Sequence, residues 1–133
     1  KLGDILYEGC GVARDEAGLL AALTKVRELR EEFWRDVKVV GTGNRLNQEL
    51  EKAGRVADFI ELGEVMILDA LDRRESAGAH FRNEYATEAG EAKRNDGDWC
   101  AVSAWETRPD GTKVRHSEPL SFSLIDLQVR DYR

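Results

Sequence analysis

Phe59-Ile60-Glu61-Leu62-Gly63-Glu64-Val65-Met66-Ile67-Leu68-Asp69-Ala70-Leu71 is the stretch that decides the fold. Apolar residues occur on nearly every side of a helix drawn through it, and a helix with so little polar face must be covered on more than one side. Working outward, Asn47 is placed to cap this helix at its start, and the helical period runs to about residue 74 before it stops. Upstream, Asp15 caps a second helix. Its apolar residues recur at Leu19, Leu20, Leu23, Val26, Leu29, Phe33, Trp34 and Val37, while Lys25, Glu28, Glu31, Glu32 and Arg35 take the opposite side. Residues 2–7 read as the tail of a first amphipathic helix, with Gly11 as a left-handed C-cap. Gly54 and Gly63 weaken the third helix, so another backbone is expected close against each. Two neighbouring helices do not suffice to cover the third one, and the surplus apolar surface predicts a missing neighbour.

After residue 74 the period disappears. Residues 99–107 and 112–118 are β-prone and flank Arg108-Pro109-Asp110-Gly111, a turn signal. Trp99 and Trp105 fall on one face of the first of these strands. Leu120, Phe122 and Leu124 alternate with serines, which suggests a third strand or an extended docking segment at an edge, given Pro119. The expected fold is therefore α+β and mainly α. An antiparallel, spectrin-repeat-like three-helix bundle (1–74) precedes an irregular extension with a small β-hairpin (75–133) packed on it, the whole being one domain.

Composition narrows the function. The net charge of -6 and pI near 5.0, without a Lys/Arg stripe, argue against nucleic acid. No apolar run reaches the roughly 18 residues needed to span a bilayer, so direct membrane insertion is not expected. Cys10 and Cys100 match no disulfide framework and read as reduced thiols. Gly41-Thr42-Gly43 neither follows a strand nor ends in Gly-Lys-Ser/Thr, so it is not a phosphate loop. His80, His116, Cys10 and Cys100 lack metal-ligand spacing, and no metal site is expected.

Arg73-Arg74-Glu75-Ser76-Ala77-Gly78-Ala79-His80-Phe81-Arg82 follows the third helix, and Asn95-Asp96-Gly97-Asp98-Trp99 comes later. Taken by itself, His80 has the chemistry of a general acid/base, with Glu75 to orient it. No nucleophile or cofactor loop accompanies it, which favours a hydrogen-bonded structural histidine instead. Glu75 and Arg82 suggest a buried ion pair or an interface, and Arg73 and Arg74 suit the negative end of a helix dipole.

The order of these motifs resembles the carboxy-terminal domain of the succinate dehydrogenase/fumarate reductase flavoprotein family, where a helix leads into E-S-R-G-A-H-x-R and then R-D-D-x-x-W. The likeness includes a tail ending Val129-Arg130-Asp131-Tyr132. Ala77 departs from it by replacing the usual arginine, and residues 87–93 separate the motifs more widely. The resemblance implies a fragment of a larger flavoprotein, and the start at Lys1 fits that expectation. The missing portion would carry covalent FAD and interconvert succinate and fumarate by hydride transfer. Electrons would pass to an iron–sulfur subunit, and a membrane anchor would hold the assembly at the cytoplasmic face of the cell membrane. Partners implied are the flavin-binding domain of the same chain and those two subunits. No catalytic or cofactor-binding residue is expected in the fragment, which should be inactive alone. Glu75, Ser76, Gly78, His80, Arg82, Asp96 and Trp99 are candidates for a structural or domain-interface motif. The alternatives are a stand-alone α-helical interaction module, or the equivalent domain of L-aspartate oxidase.

Overall fold

The computed structural model describes residues 1–128, so the motif tail at 129–132 lies outside the described residues. The chain divides into two compact units, one spanning Lys1–Asn95 and a second beginning at Asp96. In the first unit, α1 (Leu2–Gly9) is followed by β1 (Ala13–Arg14), α2 (Glu16–Asp36), α3 (Gln48–Asp72), β2 (Phe81–Arg82) and a 3-10 turn at Asn83–Tyr85. The second unit contains α4 (Asp96–Trp99), β3 (Ala101–Thr107) and β4 (Lys113–Pro119).

Both expected N-caps form. Asp15 accepts a hydrogen bond from the Gly18 N–H at 2.7 Å, and Asn47 accepts from the N–H groups of Glu49 and Leu50. Each satisfies donors that the first helical turn cannot. The helices alternate in direction. Arg27 and Arg30 of α2 meet Glu64 of α3, and Arg30 also meets Glu61, so the two helices run antiparallel. Lys1 pairs with Glu32, while Gly9 lies against Ala22 and the Gly18 carbonyl, which sets α1 antiparallel to α2.

The core holds Leu19, Ala22, Leu23 and Val26 of α2 with Ile60, Ile67 and Ala70 of α3, and Cys10 beside them. Leu19 and Ile67 are fully buried, each worth about 1.5–3 kcal/mol relative to exposure. At Gly63 a Cβ would touch the Leu2 and Leu6 side chains of α1 at 3.3–3.4 Å, so the close neighbour is a pair of leucine side chains and not the backbone expected there. Gly54 faces open space, so no backbone packs against it. The C-cap of α1 is Cys10, and Gly11 does not adopt the left-handed conformation expected of it.

Glu64 is 3 % exposed, an anion at a position that α3's pattern gives to the core. Two arginines from α2 reach it across the interface, and a buried charge needs such partners. The stripe predicted for α2 is only partly covered, since Leu20 and Trp34 remain exposed.

In the second unit β3 and β4 form an antiparallel hairpin with Trp105 opposite Arg115. Its turn is closed by the Gly111 N–H on the Arg108 carbonyl, with Gly111 at φ +84°, where glycine is at ease. Trp99 ends α4 rather than beginning a strand, so it does not share a strand face with Trp105. Residues 120–128 form no strand.

Candidate functional site

α3 stops because Arg73 turns extended (φ -75°, ψ 101°), and the chain doubles back beneath the helix end. Ala77 and His80 then exchange backbone hydrogen bonds around a tight turn, in which Gly78 takes φ +59°. This reversal gathers Glu75, Ser76, His80 and Arg82 into one polar knot, three of them almost fully buried.

Each buried group in the knot has a partner. The Arg73 side chain donates twice to Glu75 Oε1, and the other oxygen accepts from the Asn95 N–H at 2.8 Å. The Ser76 N–H donates to the Lys93 carbonyl, so residues 93–95 are strapped to the motif. Ser76 Oγ accepts from the Arg82 N–H and donates to the Arg82 carbonyl. Arg82 Nη1 donates to the carbonyls of Ala70 (2.7 Å) and Leu71 (3.2 Å), the orphan acceptors at the end of α3. Its Nε donates to Glu84, whose second oxygen accepts from the Glu16 N–H at the start of α2. A cation thus meets the negative end of one helix while its counter-ion meets the positive end of the next. Burial works to raise the Glu84 pKa, but the Glu16 N–H and Arg82 outweigh it and hold the carboxyl below its usual value. The parallel pairing of β1 with β2, Ala13 opposite Phe81 and Arg14 opposite Arg82, ties the same segment to the chain between α1 and α2.

The expected Glu75–Arg82 ion pair does not form, because each is engaged by a nearer group. Nor does Glu75 orient His80. His80 Nε2 lies 3.0 Å from the Arg73 carbonyl, which requires the proton on that nitrogen. Burial lowers the His80 pKa, and Arg14, Arg73 and Arg82 lower it further against the pull of that carbonyl. The ring is therefore neutral at neutral pH.

Beside the knot is a cleft of about 230 Å³. Cys10 and Met66 form its apolar wall, and Arg14, Asp69, Arg73 and His80 its polar side. Burial pushes the Cys10 thiol up against the opposing effect of Arg14, so it stays protonated. Arg14 donates to the Ala79 carbonyl and approaches the Cys10 sulfur, yet its Nε is buried without a hydrogen-bond partner.

Asp96 and Trp99 belong to the second unit. Asp96 opens α4 and its carbonyl accepts from the Cys100 N–H, while the Arg115 guanidinium stacks 4.8 Å above the Trp99 ring. Arg14, Glu84 and Glu64 carry structure that the sequence did not advertise. Each has a partner 34 to 68 residues away, beyond any local pattern.

Among the described residues, no strand leads through Gly-x-Gly-x-x-Gly into a helix. Among the described residues, no group of three His, Cys, Asp or Glu side chains is arranged to hold a metal, and no helix is long and apolar enough to cross a membrane.

Comparison with known proteins places this architecture. Residues 1–132 match the family described as fumarate reductase flavoprotein C-term. The chain is 28% identical over 133 residues to the succinate dehydrogenase flavoprotein subunit of Bacillus subtilis, covering 99% of this chain and 22% of that protein. It is 29% identical over 85 residues to the fumarate reductase flavoprotein subunit of Haemophilus influenzae, covering 64% of this chain and 14% of that one. A chain of Escherichia coli quinol fumarate reductase superposes with a TM-score of 0.79 at 26% identity, covering 93% of this chain and 20% of that chain. The chain therefore spans about a fifth or less of the length of these relatives, and the region it matches is their helical carboxy-terminal part: this protein belongs to the fumarate reductase flavoprotein C-terminal family.

Proposed function

We propose that this chain is the carboxy-terminal brace of a flavoprotein subunit that interconverts succinate and fumarate. FAD and the substrate-binding groups sit in the rest of the polypeptide. Electrons pass to an iron–sulfur subunit, and a membrane anchor subunit holds the complex at the cytoplasmic face of the membrane. The observation that carries this reading is the structural match to quinol fumarate reductase, which takes in 93% of this chain and only 20% of the other.

The chemistry of the knot supports a bracing role. Glu75 and Arg82 are consumed by internal hydrogen bonds, Ser76 binds the backbone of Arg82, and His80 is neutral and engaged. The Ser76 hydroxyl is held by the Arg82 backbone and the neighbouring Cys10 thiol is kept protonated by burial, so the motif acts as a latch joining the ends of α2 and α3. Glu75, Ser76, Gly78, His80 and Arg82 are assigned to that latch, and Asp96 and Trp99 to the start of the hairpin unit.

The test is to purify the full polypeptide that carries this chain alongside the 133-residue chain. The full polypeptide is expected to retain flavin and to reduce dye with succinate, and the short chain to do neither. Flavin retention or dye reduction by the short chain overturns the bracing role, and a colourless, inert full polypeptide overturns the enzyme assignment.

A further inference from the structure

The end of the α2–α3 pair opposite the knot has a composition unlike the rest of the chain. Residues 37–48 contain Lys38 and Arg45 and no acid, whereas the whole chain has a net charge of -6, so the remainder carries -8. The cations on either side are already answered: Arg35 pairs with Asp36, Lys52 with Glu49 and Arg55 with Glu51. Lys38 and Arg45 are exposed and enter no ion pair among the described residues.

Large apolar side chains at the same tip stand in water. Leu46 is 91 % exposed, Val40 71 %, and Trp34, in the last turn of α2, 65 %. The backbone that bears them is nevertheless held. Asn47 caps α3 through its side-chain oxygen, and its Nδ2 donates to the Val40 carbonyl at 3.1 Å, which closes residues 40–47 into one turn. Val40 and Leu46 flank that closure, each with a cation within two residues.

An aromatic ring, aliphatic side chains and unpaired cations, free of acids, suit a segment that lies in the headgroup layer of a bilayer. We infer that this tip is a peripheral contact with an anionic lipid surface. Lys38 and Arg45 meet lipid phosphates, while Trp34, Val40 and Leu46 enter the boundary between headgroups and acyl chains. No helix among the described residues is long and apolar enough to cross a membrane, so the contact is one of surface. The same lipid surface repels the -8 carried elsewhere, which leaves this end to approach it. The inference rests on the membrane-held complex proposed above, and that setting favours a bilayer over an acidic protein as the occupant. There a weak contact suffices, because the anchor subunit already supplies a high effective concentration.

The experiment follows flotation of the full polypeptide with vesicles of mixed phosphatidylglycerol and phosphatidylcholine, and with phosphatidylcholine alone. It is expected to float with the mixed vesicles only, and to detach as salt rises. Each cation near an anionic leaflet strengthens binding about fivefold, so the double variant Lys38→Gln/Arg45→Gln is expected to weaken it roughly thirtyfold. Leu46→Glu is expected to weaken it by about tenfold or more. Lys25→Gln, in the middle of α2, should change it by less than about twofold, being screened from the leaflet. All four side chains are exposed, so none of these changes disturbs the core. Absence of flotation, or flotation that the double variant leaves unchanged, overturns the contact. Equal flotation with the neutral vesicles removes its charge basis and overturns it too. If the polypeptide ignores vesicles but the double variant fails to assemble into the complex, the tip belongs to an acidic protein and the inference falls. A polypeptide that floats as described yet lacks flavin and succinate-dependent dye reduction upholds the lipid contact and overturns the enzyme assignment.

Discussion

The polar knot that follows α3 and the apolar flank on that helix's second half invert what their residues suggest. The knot is built from glutamate, serine, histidine and arginine, the vocabulary of catalysis, yet its charges are answered from within. The flank is built from Phe59, Leu62 and Met66, the vocabulary of a core, yet it stands in water. Residue type alone therefore misleads about where a protein is incomplete. Satisfaction of hydrogen bonds and coverage of apolar area are the better guide, and by the second of these the flank is left open.

That contrast breaks most readily at Arg82. Arg82→Ala strips the last carbonyls of α3 and leaves Glu84 without its cation, and is expected to destabilise by about 3–5 kcal/mol in urea unfolding. Arg82→Lys should recover only part of this, because a single ammonium cannot reproduce the guanidinium fork. A loss below about 1 kcal/mol for Arg82→Ala would mean that the latch is ornamental.

The two sides of α3 offer the next comparison. Ile67→Ala, on the covered side, is expected to cost about 2–5 kcal/mol, since it opens a cavity in the core. Gly78→Ala tests the turn itself. A Cβ there meets nothing within 4 Å, so the expected cost of about 1–2 kcal/mol comes from the left-handed backbone alone.

His80 sharpens the picture through pH. Its folded pKa lies below the ordinary 6.5, so below that pH the unfolded chain binds more protons than the folded one. Its contribution is fully present above pH 6.5 and is lost as the pH falls from there through the folded pKa. The urea midpoint should drop over that window, and the drop should be smaller in His80→Gln. A midpoint that rises on acidification would contradict the neutral, carbonyl-bound ring.

Much of this was legible in the sequence, and the reason is local. Asp15 and Asn47 precede helical periods and cap them, and Asp110-Gly111 sits between two β-prone runs and turns them. Gly63 also signalled a close approach, whereas Gly54 gave the same signal with nothing beside it. What stayed hidden depends on distant partners or very short elements. β1 and β2 hold two residues each and α4 four, too few to show a period. Glu64 looks like a polar interruption until Arg27 and Arg30 are brought across from α2. Glu75 and Arg82 are of opposite charge and close in sequence, but the fold gives Glu75 to Arg73 and Arg82 to the helix end.

The most direct measurement is the effect of Leu62→Glu in two settings. In the 133-residue chain the side chain already faces water, so the unfolding midpoint should move by no more than about 0.5 kcal/mol equivalent. In the full polypeptide the same charge enters a covered apolar contact, so flavin retention and succinate-dependent dye reduction should fall together. Unchanged flavin content and activity in the full polypeptide would contradict the claim that this helix flank is completed by the rest of the subunit.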